Sequence, residues 1–178
     1  MIDCAASIPI AVDNRETFLR LLAQHDGIIH KVAAGYSSSL ADRHDLMQEI
    51  RLQLWRAYPR YAPDRPFSTW MYRIALNVAI SFLRKNSRPA RQTVPLEELV
   101  HEVPNESSVS PQVDERIAIL QQVIAALDPL DRALLVLYLD EHSYRAIAEI
   151  LGLSETNVAT KISRLKQRVR RDIISLNA

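Results

Sequence analysis

The chain is poor in three things: it has three glycines, one cysteine and only 6% aromatic residues among 178 positions. So few glycines leave no glycine-rich loop to cradle phosphates, of either the Walker or the dinucleotide type. The lone Cys4 permits no intrachain disulfide and stands in no redox or metal motif, which suits a reducing compartment. The five histidines, at 25, 30, 44, 101 and 142, lack metal-ligand spacing, and His44 and Glu49 do not share a helix face. No metal, no cofactor and no catalysis by this chain are therefore expected. No apolar run approaches the ~20 residues needed to span a bilayer. The N-terminus places Asp3 early, unlike a signal peptide, so a cytoplasmic location is expected. Strand-type alternation is hard to find.

What is present suits helices. Apolar residues make up 48%, enough to bury a core, and Ala, Leu, Ile, Arg and Glu dominate. An all-α fold follows. The net charge of +1 conceals strong segregation. Between Gln92 and Glu115 there is no Lys or Arg, while Glu97, Glu98, Glu102, Glu106, Asp114 and Glu115 are acidic. Between Lys161 and Arg171 there is no acid, while Lys161, Arg164, Lys166, Arg168, Arg170 and Arg171 are basic.

Punctuation divides the chain. Residues 15–36 read as helix, with Phe18, Leu22, Ile29 and Val32 on one side and Asp26-Gly27 bending or dividing it. A loop over 37–42 leads to a helix over 43–58, stopped by Pro59. A loop over 61–68, with Pro63 and Pro66, leads to a helix over 69–85 capped by Ser68 or Thr69. Residues 91–113 carry Pro95, Pro104 and Pro111 within the acidic run and read as a flexible linker. Further helices are expected over 114–126, 129–139, 144–151 and 154–174. The expectation is two small helical domains, 1–90 and 114–178, joined by that linker.

The C-terminal end has the layout of a helix-turn-helix. Gly152 follows Ile147, Ile150 and Leu151 where a left-handed residue is wanted. Ser154 is the natural N-cap of the next helix, with Glu155 at its positive end. Leu153 and Val158 are spaced as a hydrophobic staple, and Ala148 allows close helix approach. Val158, Ile162, Leu165 and Val169 form the inward stripe. Thr156, Asn157, Thr160, Arg164, Gln167 and Arg171 face away, with Lys161 and Arg168 on the flank. Early polar residues on such a helix suit base edges, and later cations suit phosphates.

Two N-terminal helices carry unusual outer faces. In 43–58, Leu46, Met47, Ile50, Leu54, Ala57 and Tyr58 build a core stripe. Leu52 and Trp55 lie opposite, beside Asp45, Gln48 and Glu49, either as a protein interface or under another helix of the same domain. In 69–85, Met71, Ala75, Ala79 and Phe82 point inward, with Tyr72 and Leu83 near the edge. Trp70, Arg73, Asn77, Ser81 and Arg84 line the other side, a stripe suited to unstacked bases or to plain solvation.

The blocks DLMQEIRLQLWRAYPRY and FSTWMYRIALNVAISFLRK, followed by the helix-turn-helix, strongly resemble a bacterial sigma factor of the small extracytoplasmic-function (ECF) class. The resemblance covers nearly all of the chain after Phe18. It implies a factor that binds core RNA polymerase and directs it to promoters. It implies docking of Asp45, Gln48, Glu49, Leu52 and Trp55 on the β′ clamp helices. Arg65, Trp70, Arg73, Asn77 and Arg84 would handle the minus-ten element, where a base is flipped out at a cost of a few kcal/mol. Ser154, Thr156, Asn157, Thr160, Lys161, Arg164 and Arg168 would read the minus-thirty-five element. The β flap, promoter DNA and an anti-sigma factor, often membrane-anchored in this class, are the further implied partners. The family's usual Gly-Thr-Val early in the reading helix is Thr156-Asn157-Val158 here, which alters a DNA contact. A stand-alone helix-turn-helix regulator is the alternative, and it predicts promoter affinity without polymerase.

Overall fold

Every regular element is helical among the residues that the computed structural model describes, 10–37, 39–86 and 122–176. The first expected helix is two. Helix α1 spans Ile10–Gln24 and α2 spans Asp26–Tyr36, with His25 between them outside helical geometry (φ −118°, ψ 13°). Helix α2 buries Ile28, Ile29, Val32, Ala33 and Tyr36.

Helix α3 spans Leu40–Ala57 and begins three residues before the expected 43. The cause is Ser39, whose Oγ accepts from the Asp42 amide (3.0 Å) and donates to Asp42 Oδ2 (2.9 Å). A cap and a first-turn carboxylate together fix the helix start. A 3₁₀ turn at Tyr58–Arg60 carries Pro59 and ends this helix. Helix α4 spans Phe67–Asn86, so neither Ser68 nor Thr69 caps it. The Trp70 amide instead donates to the Pro66 carbonyl (3.2 Å), and buried Phe67 anchors the first turn in the core.

In the C-terminal unit, residues 122–125 are helical, and the expected helix over 114–121 lies outside the described residues, as does the acidic linker 91–113. Asp128 caps helix α5, Pro129–Leu139, by accepting from the Leu130 and Asp131 amides (3.0 and 3.1 Å). Ser143 caps α6, Tyr144–Leu151, through the Ala146 amide (3.2 Å). Gly152 takes the left-handed turn at φ 68°, as expected of it. Ser154 Oγ accepts from the Asn157 amide (3.3 Å) and opens α7, which spans Glu155–Leu176. A Cβ at Gly152 would meet nothing within 4 Å, so a substitution there costs backbone strain alone. Gly152→Ala is expected to lower stability by about 1–2 kcal/mol, read as a fall in Tm with the α6–α7 fold retained.

The two units share one apolar core. Helix α2 meets α5, and α4 meets both α5 and α6. Gly35 eases the first approach, since a Cβ there would lie 3.3 Å from Val136 Cγ2, a tight contact. Polar bonds complete the seam. The Tyr36 hydroxyl donates to the Pro129 carbonyl (2.6 Å). Buried Arg132 donates to Gly35 O (3.1 Å) across the seam, and to Ala125 O (2.8 Å) and Leu127 O (3.3 Å) in its own unit. Its guanidinium also sits 5.3 Å above the Tyr36 ring. Asp140 accepts from Tyr72 and from Lys31. Here the sequence expectation for Tyr72 fails: it is 1% exposed rather than at an edge, because the second unit covers it.

Candidate functional site

Three exposed faces carry the expected chemistry. On α3, Asp45, Gln48 and Glu49 are exposed, with Leu52 and Trp55 at 41% and 45% of their surface. The two apolar side chains sit opposite the buried stripe Leu46, Met47, Ile50 and Leu54. Trp55 is not wholly free, since Phe18 of α1 meets it edge-on with centroids 5.2 Å apart. The result is a braced aromatic ringed by carboxylate and amide groups, the anatomy of a protein-binding hot spot with a polar rim.

On α4, Arg73, Asn77, Ser81 and Arg84 are exposed along one stripe. Trp70 at its head is half-buried, tilted against Phe67 at 5.2 Å and Tyr61 at 5.1 Å. These rings belong to an aromatic cluster that the sequence reading missed as a unit. Tyr58, Tyr61, Phe67 and Trp70 contact one another, with Phe18 against Tyr58 and His25 against Phe67. The signal was the run of aromatics at 58, 61, 67 and 70 around the proline-rich loop. Arg65, in that loop, points at α6 and pairs with Glu149 (3.7 Å). A cation expected to face DNA is thus tied to the other unit in this arrangement.

On α7, Ser154, Thr156, Asn157, Thr160 and Arg164 are exposed. The Thr160 hydroxyl donates back to the Thr156 carbonyl (2.9 Å), which orients its remaining lone pairs. The two flank cations behave differently. Arg168 lies 4.0 Å from Asp131 and 3.7 Å from Asp172, and donates to the Ala126 carbonyl (3.3 Å). It ties α7 to α5 and to the residues before it rather than standing free. Lys161 is half-buried and lies in the field of Asp128 and Asp131. Burial opposes ionisation of Asp128, but the Asp131 and Leu130 groups bonded to it hold its carboxyl below the usual range. Burial and then the Asp128 charge push Asp131 the other way. The basic helix therefore meets an acidic counterpart on α5 that sequence separation concealed. Its outward charge is carried chiefly by Arg164, Arg170 and Arg171, all exposed.

Among the described residues no group of three or more His, Cys, Asp or Glu is placed to hold a metal. No helix among them is long and apolar enough to cross a membrane.

Residues 21–89 match the Sigma-70 region 2 model and residues 117–169 match Sigma-70 region 4. The chain is 30% identical over 154 residues to the ECF RNA polymerase sigma factor SigE of Mycolicibacterium smegmatis, covering 84% of this chain and 59% of that protein. It is 28% identical over 166 residues to the ECF RNA polymerase sigma factor SigM of Mycobacterium tuberculosis, covering 92% and 81%. The fold is similar to that of the sigma factor RpoE in complex with the anti-sigma factor NepR from Bartonella quintana. That match has a TM-score of 0.65 at 19% identity and covers 93% of this chain and 99% of that one. With one matched region bearing the α3 and α4 faces and the other bearing the helix-turn-helix, the chain belongs to the sigma-70 family of RNA polymerase sigma factors, in its ECF class.

Proposed function

We propose that this chain binds core RNA polymerase, directs it to specific promoters and assists DNA opening at the minus-ten element, working in the cytoplasm with no catalysis of its own. The observation that carries this is the coexistence on one chain of a braced Leu52–Trp55 face, an Arg–Asn stripe on α4 and a polar, capped reading helix α7. Asp45, Gln48, Glu49, Leu52 and Trp55 are assigned to the β′ clamp helices. Trp70, Arg73, Asn77 and Arg84, with Arg65 once its pairing to Glu149 opens, are assigned to the minus-ten element. Ser154, Thr156, Asn157, Thr160, Lys161 and Arg164 are assigned to the minus-thirty-five duplex. Arg168 is the weakest of the expected contacts, since its nitrogens already serve Asp131, Asp172 and Ala126. The division into a polymerase-docking unit over 1–90, a linker over 91–113 and an upstream-reading unit over 114–178 belongs to the same proposal. So do the contact with the β flap and an anti-sigma partner, by analogy with RpoE and NepR.

The direct test is co-elution of the purified chain with bacterial core RNA polymerase. Stable co-elution is expected, and failure to bind at low salt would overturn the proposal. Arg164→Ala is expected to weaken upstream duplex binding and to reduce the salt dependence of affinity by about one phosphate contact. Titrations of holoenzyme on promoter duplex at several salt concentrations check it; an unchanged slope removes Arg164 from the phosphate contacts.

A further inference from the structure

We infer that the Tyr61 hydroxyl is a positioning group that fixes the shape of the loop between α3 and α4 and thereby sets base selectivity at the minus-ten element. This rests on the minus-ten assignment of α4 given above.

The loop is short, exposed and otherwise underdetermined. Ala62, Pro63, Asp64, Arg65 and Pro66 are all exposed. The two prolines fix their own φ angles and bias Ala62 and Arg65 toward extended backbone. They do not fix how far the tip stands from α4. Within the N-terminal unit one side-chain bond holds that distance: the Tyr61 hydroxyl donates to the Arg65 carbonyl at 2.8 Å, closing the loop on itself, while the pairing of Arg65 with Glu149 ties the tip only to the other unit. The other bond within the loop is long, from the Arg65 amide to the Ala62 carbonyl at 3.5 Å.

The donor is itself held firmly. The Tyr61 amide donates to the Tyr58 carbonyl (2.9 Å). Its ring lies nearly parallel to Tyr58 (18°, 6.0 Å), edge-on to Phe67 (87°, 5.4 Å) and tilted against Trp70 (5.1 Å). Three rings on two elements thus aim one hydroxyl. Burial, then Tyr58 and Asp64, raises the hydroxyl's pKa, so it stays a donor throughout the physiological range. The carbonyl it grips belongs to Arg65, and Pro66 next to it starts α4 through the Trp70 amide. A loop clasped this way stands at a fixed offset from Trp70 and from the Arg73–Asn77 stripe. A base leaving the duplex needs a rigid wall on the side away from α4, because a wall that yields accepts every base equally.

The experiment compares holoenzymes reconstituted from bacterial core polymerase and the full chain, as wild type, Tyr61→Phe and Asn77→Ala. Each transcribes a template library randomised across the minus-ten element. Tyr61→Phe keeps the ring and removes only the donor. It is expected to keep the wild-type Tm and core affinity, and to lose about fivefold in base discrimination at the most selective position, the worth of one neutral hydrogen bond. Asn77→Ala is expected to slow opening and flatten the profile as well. A wild-type profile from Tyr61→Phe alongside a flattened one from Asn77→Ala overturns the role of the hydroxyl and leaves the minus-ten assignment standing. Wild-type profiles from both variants overturn that assignment and the inference with it. A lowered Tm with unchanged selectivity assigns the hydroxyl to stability alone and also overturns the inference.

Discussion

Trp55→Ala is expected to lower affinity for core RNA polymerase by about thirtyfold, or ~2 kcal/mol, the scale of a central aromatic hot spot. The size follows from how the ring is presented. Trp55 keeps 45% of its surface in water, beside exposed Leu52, while Leu46, Met47, Ile50 and Leu54 of the same helix are buried. Phe18 holds it edge-on at 5.2 Å and 61°. A braced ring has less rotamer freedom to lose on docking, so more of its contact energy appears as affinity. The same contact means the substitution is not silent in the free chain: loss of one aromatic pair is expected to lower stability by about 1 kcal/mol. Core affinity by titration and stability by denaturation separate the two effects. Affinity equal to wild type would remove Trp55 from the docking face. The rim should behave differently. Charge reversal at Asp45 or Glu49, both exposed, is expected to change the association rate and its salt dependence more than the dissociation rate.

Much of this was legible from residue order because local rules acted without interference. The helix-turn-helix is the clearest case. Gly152, Ser154 and the Val158–Ile162–Leu165 stripe each obey a rule confined to about two helical turns, and all three hold in the structure. The outer faces of α3 and α4 were legible for a similar reason: helical spacing decides which side faces a core once the core side is known. What stayed hidden depends on which segments meet. Tyr72 read as an edge residue because the N-terminal unit was considered alone, and nothing local announces that Asp140 will accept its hydroxyl. Nothing in the residue order singles out Arg132, which is 6% exposed. Arg168 and Lys161 read as free charge because the opposing Asp128 and Asp131 lie some thirty positions away. The helix starts at Leu40 and Phe67 were misplaced by two or three residues for another reason. In α3 the Ser39 cap acts upstream of the expected start, and in α4 the first bond runs to the Pro66 carbonyl, ahead of Ser68 and Thr69, with Phe67 buried behind it.

Arg132→Ala is the substitution expected to cost most stability, about 3 kcal/mol, because it strips a buried donor from three carbonyls at once. Those carbonyls divide unequally. Ala125 and Leu127 belong to Arg132's own unit, while Gly35 lies in the last turn of α2 of the other. The division matters for how the protein works. The minus-ten and minus-thirty-five elements lie about 25 base pairs apart, roughly 85 Å of duplex. A compact chain of this length is only about 40 Å across. Under the proposed assignment of the two units to these two elements, the seam seen here is expected to part before both are read. Parting breaks the Gly35 bond, the contact of Arg132 with Tyr36 and the Tyr36 bond to Pro129, but leaves Arg132 bonded to Ala125 and Leu127. One side chain thus serves permanently inside the C-terminal unit and reversibly across the seam. Arg132→Ala should accordingly show two changes: a lower unfolding midpoint in denaturant and a larger radius of gyration by X-ray scattering under native conditions. Tyr36→Phe removes only the Pro129 bond, so it should raise the radius of gyration with a much smaller loss of stability. Scattering from Arg132→Ala identical to wild type would show that the seam holds without Arg132, through its apolar contacts and its remaining bonds from Tyr36, Tyr72 and Lys31.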